Sequence, residues 1–142
     1  MEKSNHNRTI YITSSDMLKL ENLIEGRRDG NVRDKEHLSE LENELGSAVL
    51  VDSKAIPPNV ITMNSRVLMK DLDTQEEMAY TLVFPADANI KENKISVLAP
   101  IGTAMIGYKA GDVIEWPVPS GQKRLKVIEI LYQPEAAGDF HL

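Results

Sequence analysis

Ile95-Ser96-Val97-Leu98-Ala99-Pro100-Ile101-Gly102-Thr103-Ala104-Met105-Ile106-Gly107-Tyr108-Lys109-Ala110-Gly111-Asp112 reads as a strand, one short helix and a turn into a second strand. Ile95 to Leu98 is a β-leaning run. Pro100 has the fixed φ and the missing N–H that suit a first helical turn, and Gly107 stands where a left-handed residue would stop the helix. The spacing between them leaves room for about two turns. Gly111-Asp112 then turns the chain into the alternating Val113-Ile114-Glu115-Trp116, and Pro119-Ser120-Gly121 reverses it into a last long strand. No side chain of the block has the setting of a nucleophile or of a metal ligand, so the block reads as a docking surface.

Working outward, the same signals predict strands over 60–63, 65–71, 78–84, 94–98, 112–118 and 122–132. Asp52-Ser53-Lys54-Ala55-Ile56-Pro57-Pro58-Asn59 breaks every period, because its two prolines end helices and stiffen a linker. A boundary there divides the chain into an N-terminal unit, 1–51, and a C-terminal domain, 60–142. Within the first unit, 8–13 carries a short β-type alternation. Thr13 then offers an N-cap, with Asp16 three residues on, where a carboxylate also meets the positive helix end. Met17, Leu20, Leu23 and Ile24 form one apolar stripe that stops at Gly26. A second helix starts after Asn31, which could cap it with Asp34 three residues later. Leu38, Leu41 and Leu45 make its stripe, and Ala48 and Val49 extend it. Two such helices joined by 26–30 predict a short antiparallel helical hairpin, an arm of roughly 18 Å at about 1.5 Å per residue. The fold class is α+β, with the hairpin followed by an antiparallel β-sheet domain carrying one short helix.

At 142 residues, with 42% of them apolar, the chain fits one ordinary domain or a small domain with an appendage. Its net charge of −6 disfavours broad electrostatic attraction to nucleic acid or anionic membrane, so a protein partner is expected and strong direct nucleic-acid binding is not. The absence of cysteine excludes disulfides, thiol nucleophiles and thiolate zinc sites, and the three histidines, His6, His37 and His141, are far apart in sequence. No metal or cofactor is expected. The first residues are polar and no apolar run approaches the roughly 20 residues of a membrane span, which predicts neither signal peptide nor anchor and fits the cytoplasm. Glu36, Glu40 and Glu44 read as a solvated helix face. Arg27, Arg28 and Arg33 could meet phosphate, a nucleotide or an acidic wall, or simply solvate a loop. Trp116 could floor a ligand pocket or pack against the core. The string Gln133–Asp139 is too polar to bury as a strand, and a packed loop or a partner contact remain open for it.

The order strand with Ser96, then Pro100, Gly102, Met105-Ile106-Gly107, Gly111-Asp112 and Pro119-Ser120-Gly121 resembles the C-terminal pattern of the bacterial GreA/GreB transcription elongation factor family. Val60-Ile61-Thr62-Met63-Asn64-Ser65-Arg66-Val67 and Tyr132-Gln133-Pro134-Glu135-Ala136-Ala137-Gly138-Asp139 resemble its Rnk branch, the regulators of nucleoside diphosphate kinase. The resemblance implies an FKBP-like C-terminal domain that binds RNA polymerase beside its secondary channel, with the coiled-coil arm pointed into the channel. The polymerase-binding positions it implies are Ser96, Leu98 and Pro100.

Cleavage factors of the family carry acidic residues at the tip of a long arm, where they help to hold a magnesium ion. Here the arm is short, and its tip has Arg27, Arg28, Asp29, Asn31 and Asp34, arginines interleaved with carboxylates. A hard cation wants several oxygen ligands and little competing positive charge, so no catalytic residue is expected. Leu98 stands where cleavage factors carry an acidic residue. Ala99 stands where they often have serine, which removes a helix cap worth about 1 kcal/mol. The expected function is a non-enzymatic transcription regulator that competes with Gre-type factors and does not stimulate transcript cleavage, with an indirect link to nucleoside diphosphate kinase. The alternatives are a small-molecule or peptide-binding module, including a proline isomerase centred on Trp116, and a direct regulator of the kinase.

Overall fold

Arg66–Asp71 turns Val67, Met69 and Asp71 into the protein and leaves Arg66, Leu68 and Lys70 on its outer side, the period-two pattern of a strand with one face buried. It is the middle strand of a five-stranded sheet in the computed structural model, which describes residues 10–26, 32–119 and 121–139. The elements in chain order are β1 (Tyr11–Thr13), α1 (Ser14–Gly26), α2 (Val32–Gly46), β2 (Val49–Val51), β3 (Arg66–Asp71), β4 (Glu77–Val83), β5 (Lys94–Ser96), α3 (Pro100–Met105), β6 (Val113–Val118), β7 (Gly121–Tyr132) and α4 (Pro134–Ala137). The main sheet has the order β5-β4-β3-β7-β6. The mixed α+β class stands.

Four of the six strands expected from the sequence after residue 60 hold with small shifts of their ends, and β5 is shortened to Lys94–Ser96. The sixth does not form. Val60 makes a single bridge with Lys109, and 61–65 is irregular although Ile61, Thr62, Met63 and Ser65 are all buried. The physical reason is that its backbone groups are engaged elsewhere: the Ile61 amide donates to the Tyr108 carbonyl, the Thr62 amide to Ser65 Oγ, and the Met63 amide to Asp16 Oδ2. A sheet ladder would have to break these bonds.

The expectation of an all-antiparallel sheet is also corrected. β5 runs parallel to β4, pairing Thr81 with Lys94, Leu82 with Ile95 and Val83 with Ser96. A parallel neighbour needs a crossover rather than a tight turn, and the segment 84–93 supplies it with two 3₁₀ turns, Pro85–Asp87 and Ile90–Glu92. A separate two-stranded sheet pairs β1 with β2, again in parallel, with Tyr11 opposite Val49. Ala48 and Val49 therefore do not extend α2. The helix ends at Gly46, and the chain reverses before β2 begins.

Both helical stripes are buried, and they join the sheet rather than forming a core of their own. Leu20 and Ile24 of α1 and Leu38, Leu41 and Leu45 of α2 are buried, with Met17 and Leu23 packed around them. They belong to one continuous apolar cluster with Val67, Met69, Leu82, Val97, Met105, Ile106, Leu125 and Val127 of the sheet and α3. Removing the side chain of a fully buried leucine such as Leu41 costs about 2–5 kcal/mol, so this shared core ties the helices to the sheet strongly. Gly107 marks a close approach between this core and the start of β1. Its φ is +84°, and a Cβ there would sit 2.6 Å from Ile10 Cβ, at the root of β1. Among the described residues no helix is long and apolar enough to cross a membrane.

Candidate functional site

The segment between β5 and α3 forms a corner at one edge of the sheet. Three local interactions fix it. Ser96 Oγ accepts the Leu98 amide at 3.0 Å, the Ala99 amide donates to the Ser96 carbonyl at 3.0 Å, and Thr103 Oγ1 reaches back to donate to the buried Val97 carbonyl at 2.6 Å. Pro100 occupies the first turn of α3, as its fixed φ favours. Ala99 sits at the N-cap with φ −70° and ψ 150° and offers no side-chain bond, so the capping function falls to no residue of the corner. Gly102 is the tight point: a Cβ there would run into the Ser96 carbonyl oxygen, so only glycine lets the first turn of α3 close onto β5.

This geometry sorts the three positions singled out from the sequence. Pro100 is exposed at the apex. Leu98 is half-buried, with part of its side chain against the core, and Ser96 is half-buried with its hydroxyl engaged within the corner. Pro100 is the most accessible of the three. Downstream, the Lys109 amide donates to Asp112 Oδ2, and Gly111 (φ +97°) lets the chain enter β6. Arg27, Arg28, Asp29 and Asn31 at the expected arm tip lie outside the described residues, as do the side chains of Asp34 and Trp116.

A polar cluster that the sequence reading missed joins the first helix to the body. Thr13 Oγ1 accepts the Asp16 amide at 3.0 Å, which is the cap the sequence suggested. The Asp16 carboxylate, however, is 2% exposed and faces inward, accepting the Met63 amide at 3.0 Å. Burial pushes its pKa up from 3.8 to about 6, with the nearby Glu135 charge adding to the rise and the Met63 bond and Lys19 opposing it. Next to it, Thr62 Oγ1 lies 2.9 Å from Ser65 Oγ and donates to Glu135 Oε1 at 2.7 Å. Gln133 is buried, caps α4 through the Ala136 amide, and donates to the carbonyls of Pro57 and Val60 at 2.8 Å each. Tyr132 donates to Asp139 just beyond α4. The string Gln133–Asp139 is thus a packed, capped turn, and it meets the string 60–67 side by side. The signal was available in part: both strings are rich in short polar side chains within otherwise apolar surroundings, where each polar atom needs a partner.

A family model described as "Transcription elongation factor, GreA/GreB, C-term" matches residues 56–132, more than half of the chain and all of the corner. A second, "Rnk N-terminus", matches residues 8–51. The chain belongs to the Rnk branch of the GreA/GreB family. The "Regulator of nucleoside diphosphate kinase" of Escherichia coli K12 is 43% identical over 103 residues, 72% of this chain and 76% of that protein. The "Transcription elongation factor GreA" of Clostridium botulinum Eklund 17B is 41% identical over 91 residues, 64% of this chain and 57% of its own length. The Gre-family match to the elongation factor is therefore partial. A solved GreA/GreB factor from Nitrosomonas europaea superposes with a TM-score of 0.72 at 40% identity, covering 89% of this chain and 100% of that one. These Gre-family relatives carry the names of regulators and elongation factors, none that of an enzyme.

Proposed function

We propose that this Gre-family chain is a non-enzymatic regulator that docks on RNA polymerase beside its secondary channel through the corner at Ser96, Leu98 and Pro100. In this reading residues 60–142 form an FKBP-like docking body. Residues 1–51 form a short antiparallel helical arm, which enters the channel mouth and excludes longer-armed Gre factors. The observation that carries the proposal is the build of the corner. Its apex, Pro100, faces solvent, while Ser96, Thr103 and the bare Gly102 backbone hold the segment beneath it in one shape. A rigid, exposed proline on a fixed turn loses little entropy when a partner covers it.

The test is competition for core RNA polymerase between the purified protein and a GreA factor. Mutual displacement is expected, and Pro100→Glu should weaken binding about tenfold or more without lowering the melting temperature, because the side chain is exposed. Failure to bind, or binding indifferent to GreA, overturns the proposal. Stalled elongation complexes should release no short 3′ RNA fragments when this protein is added; release would overturn the assignment of the arm. The name of the Escherichia coli relative supports a link to nucleoside diphosphate kinase, which in this reading is indirect, through transcription. A complex between the purified protein and the kinase would overturn that part.

A further inference from the structure

The outer face of the sheet carries a row of side chains that the corner alone does not use. Lys94 of β5 is paired with Thr81 of β4, Thr81 with Arg66 of β3, and Arg66 with Tyr132 of β7, so four neighbouring strands present these residues at one level. Together with Asn64 and Asp87 they line an open cleft. Arg66 is exposed and has no acidic partner among the described residues. Among the described residues Lys94 pairs with Glu92 at 3.1 Å, with side chains 42% and 60% exposed, a contact that water and salt weaken. Asn64 is held at φ +69° with its amide bonded to the Leu82 carbonyl, which fixes it at the cleft edge.

The cleft is continuous with the corner. Ser96 lies two residues beyond Lys94 on β5 and therefore on the same face, and it is paired with Val83, which also lines the cleft. On a chain whose net charge is −6, the guanidinium of Arg66 on β3 and the ammonium of Lys94 on β5, with Thr81 of β4 between them and Asp87 the one carboxylate among the described lining residues, leave this cleft beside an exposed proline with more basic than acidic side chains. The planar fork of arginine matches a carboxylate in two-point geometry, and a neighbouring hydroxyl and amide can complete the oxygen's remaining bonds.

We propose that this cleft is a carboxylate subsite of the docking surface: an aspartate or glutamate side chain of the protein partner enters it and is held by Arg66, with Lys94, Thr81 and Asn64 around it. This rests on the docking function proposed above, and it assigns to the partner an acidic residue beside the surface that covers Pro100. An open cleft of this kind suits a side chain delivered by a large partner better than a free small anion, which would stay largely in water.

The experiment measures the affinity of core RNA polymerase for the full-length protein at rising salt, using wild type, Arg66→Glu, Arg66→Lys, Pro100→Glu and Lys126→Glu. Lys126 is exposed on β7 opposite Lys70, towards the other end of the strand from Tyr132, and Lys126→Glu changes the net charge as Arg66→Glu does. The expected result is a loss of about tenfold for Arg66→Glu at low salt that shrinks as salt rises, a smaller loss for Arg66→Lys, and little change for Lys126→Glu. Thermal melting should be alike for all of them, since these side chains face solvent. If Pro100→Glu weakens binding while Arg66→Glu does not, or if Lys126→Glu weakens it as much as Arg66→Glu, the subsite is wrong and the docking proposal survives. If wild type does not bind, both fall.

Discussion

Replacing Asp16 with asparagine removes a titration from the interior while keeping an oxygen that can accept the Met63 amide. In the folded protein the Asp16 carboxyl binds its proton more tightly than in the unfolded chain, because burial raises its pKa from 3.8 to about 6. The stabilising contribution of that proton is full below 3.8 and is lost as the pH rises through 6; above that, the ionised group works against the fold. At about 1.36 kcal/mol per pH unit, the whole effect amounts to roughly 3 kcal/mol, of which about 2 kcal/mol falls between pH 4.5 and 7.5. Urea unfolding of wild type and Asp16→Asn across that range isolates the term, since the groups common to both proteins cancel in the difference. The variant should gain about 2 kcal/mol on wild type from the acid end to the neutral end. Glu135→Gln, which removes the charge that helps to raise Asp16, should move the midpoint of the wild-type curve to lower pH. Parallel stability curves for wild type and Asp16→Asn would show that the carboxylate is not held in a dry, inward-facing site, and the polar cluster as described would be wrong.

Three further outcomes follow from the same geometry. Gly102→Ala should destabilise by about 3 kcal/mol and weaken polymerase binding, because the new methyl meets the Ser96 carbonyl, a backbone atom that cannot turn aside; an unchanged melting curve would refute the close approach. Ala99→Ser should raise stability by about 0.5–1 kcal/mol by supplying the missing cap to α3, read as an increase in the urea midpoint at unchanged slope. Gln133→Ala should cost about 2–3 kcal/mol, because the carbonyls of Pro57 and Val60 each lose their 2.8 Å donor, the latter bond being buried, and α4 loses its cap; amide exchange in 135–138 should accelerate accordingly.

The parts of the fold that were legible in the sequence are those set by short-range chemistry. Pro100 starts α3, Gly107, Gly111 and Gly121 sit at the turns their spacing predicts, and these three glycines have the positive φ that such turns require. Thr13 caps α1, and the leucine stripes face the core. What escaped depends on partners distant in sequence. Val60-Ile61-Thr62-Met63 has the composition of a strand, yet its amides are taken by Tyr108, Ser65 and Asp16, and no local pattern announces a bond across 47 residues. The antiparallel sheet expected for the C-terminal domain fails at β5, because the two 3₁₀ turns after β4 carry the chain across to a parallel register that no local signal announces. Of the candidate site, the corner positions could be read from Pro100 and Gly102, whereas the row of Lys94, Thr81 and Arg66 exists only through strand register.

The cluster around Asp16 bears on how far residues 1–51 of this protein are an interchangeable part. A chimera spliced within 52–59, joining residues 1–51 to the rest of another Gre-family chain, would keep every residue of α1 and still lose the Met63 amide that Asp16 accepts, along with the neighbouring Thr62–Glu135 contact. The carboxyl would then be buried against groups chosen for something else, at a cost of about 1–3 kcal/mol for a buried polar group left without its hydrogen bond. Residues 1–51 and the segments around 62, 63 and 135 therefore act as one polar unit, and exchange of 1–51 alone is expected to lower stability unless the new partner offers Asp16 the same amide.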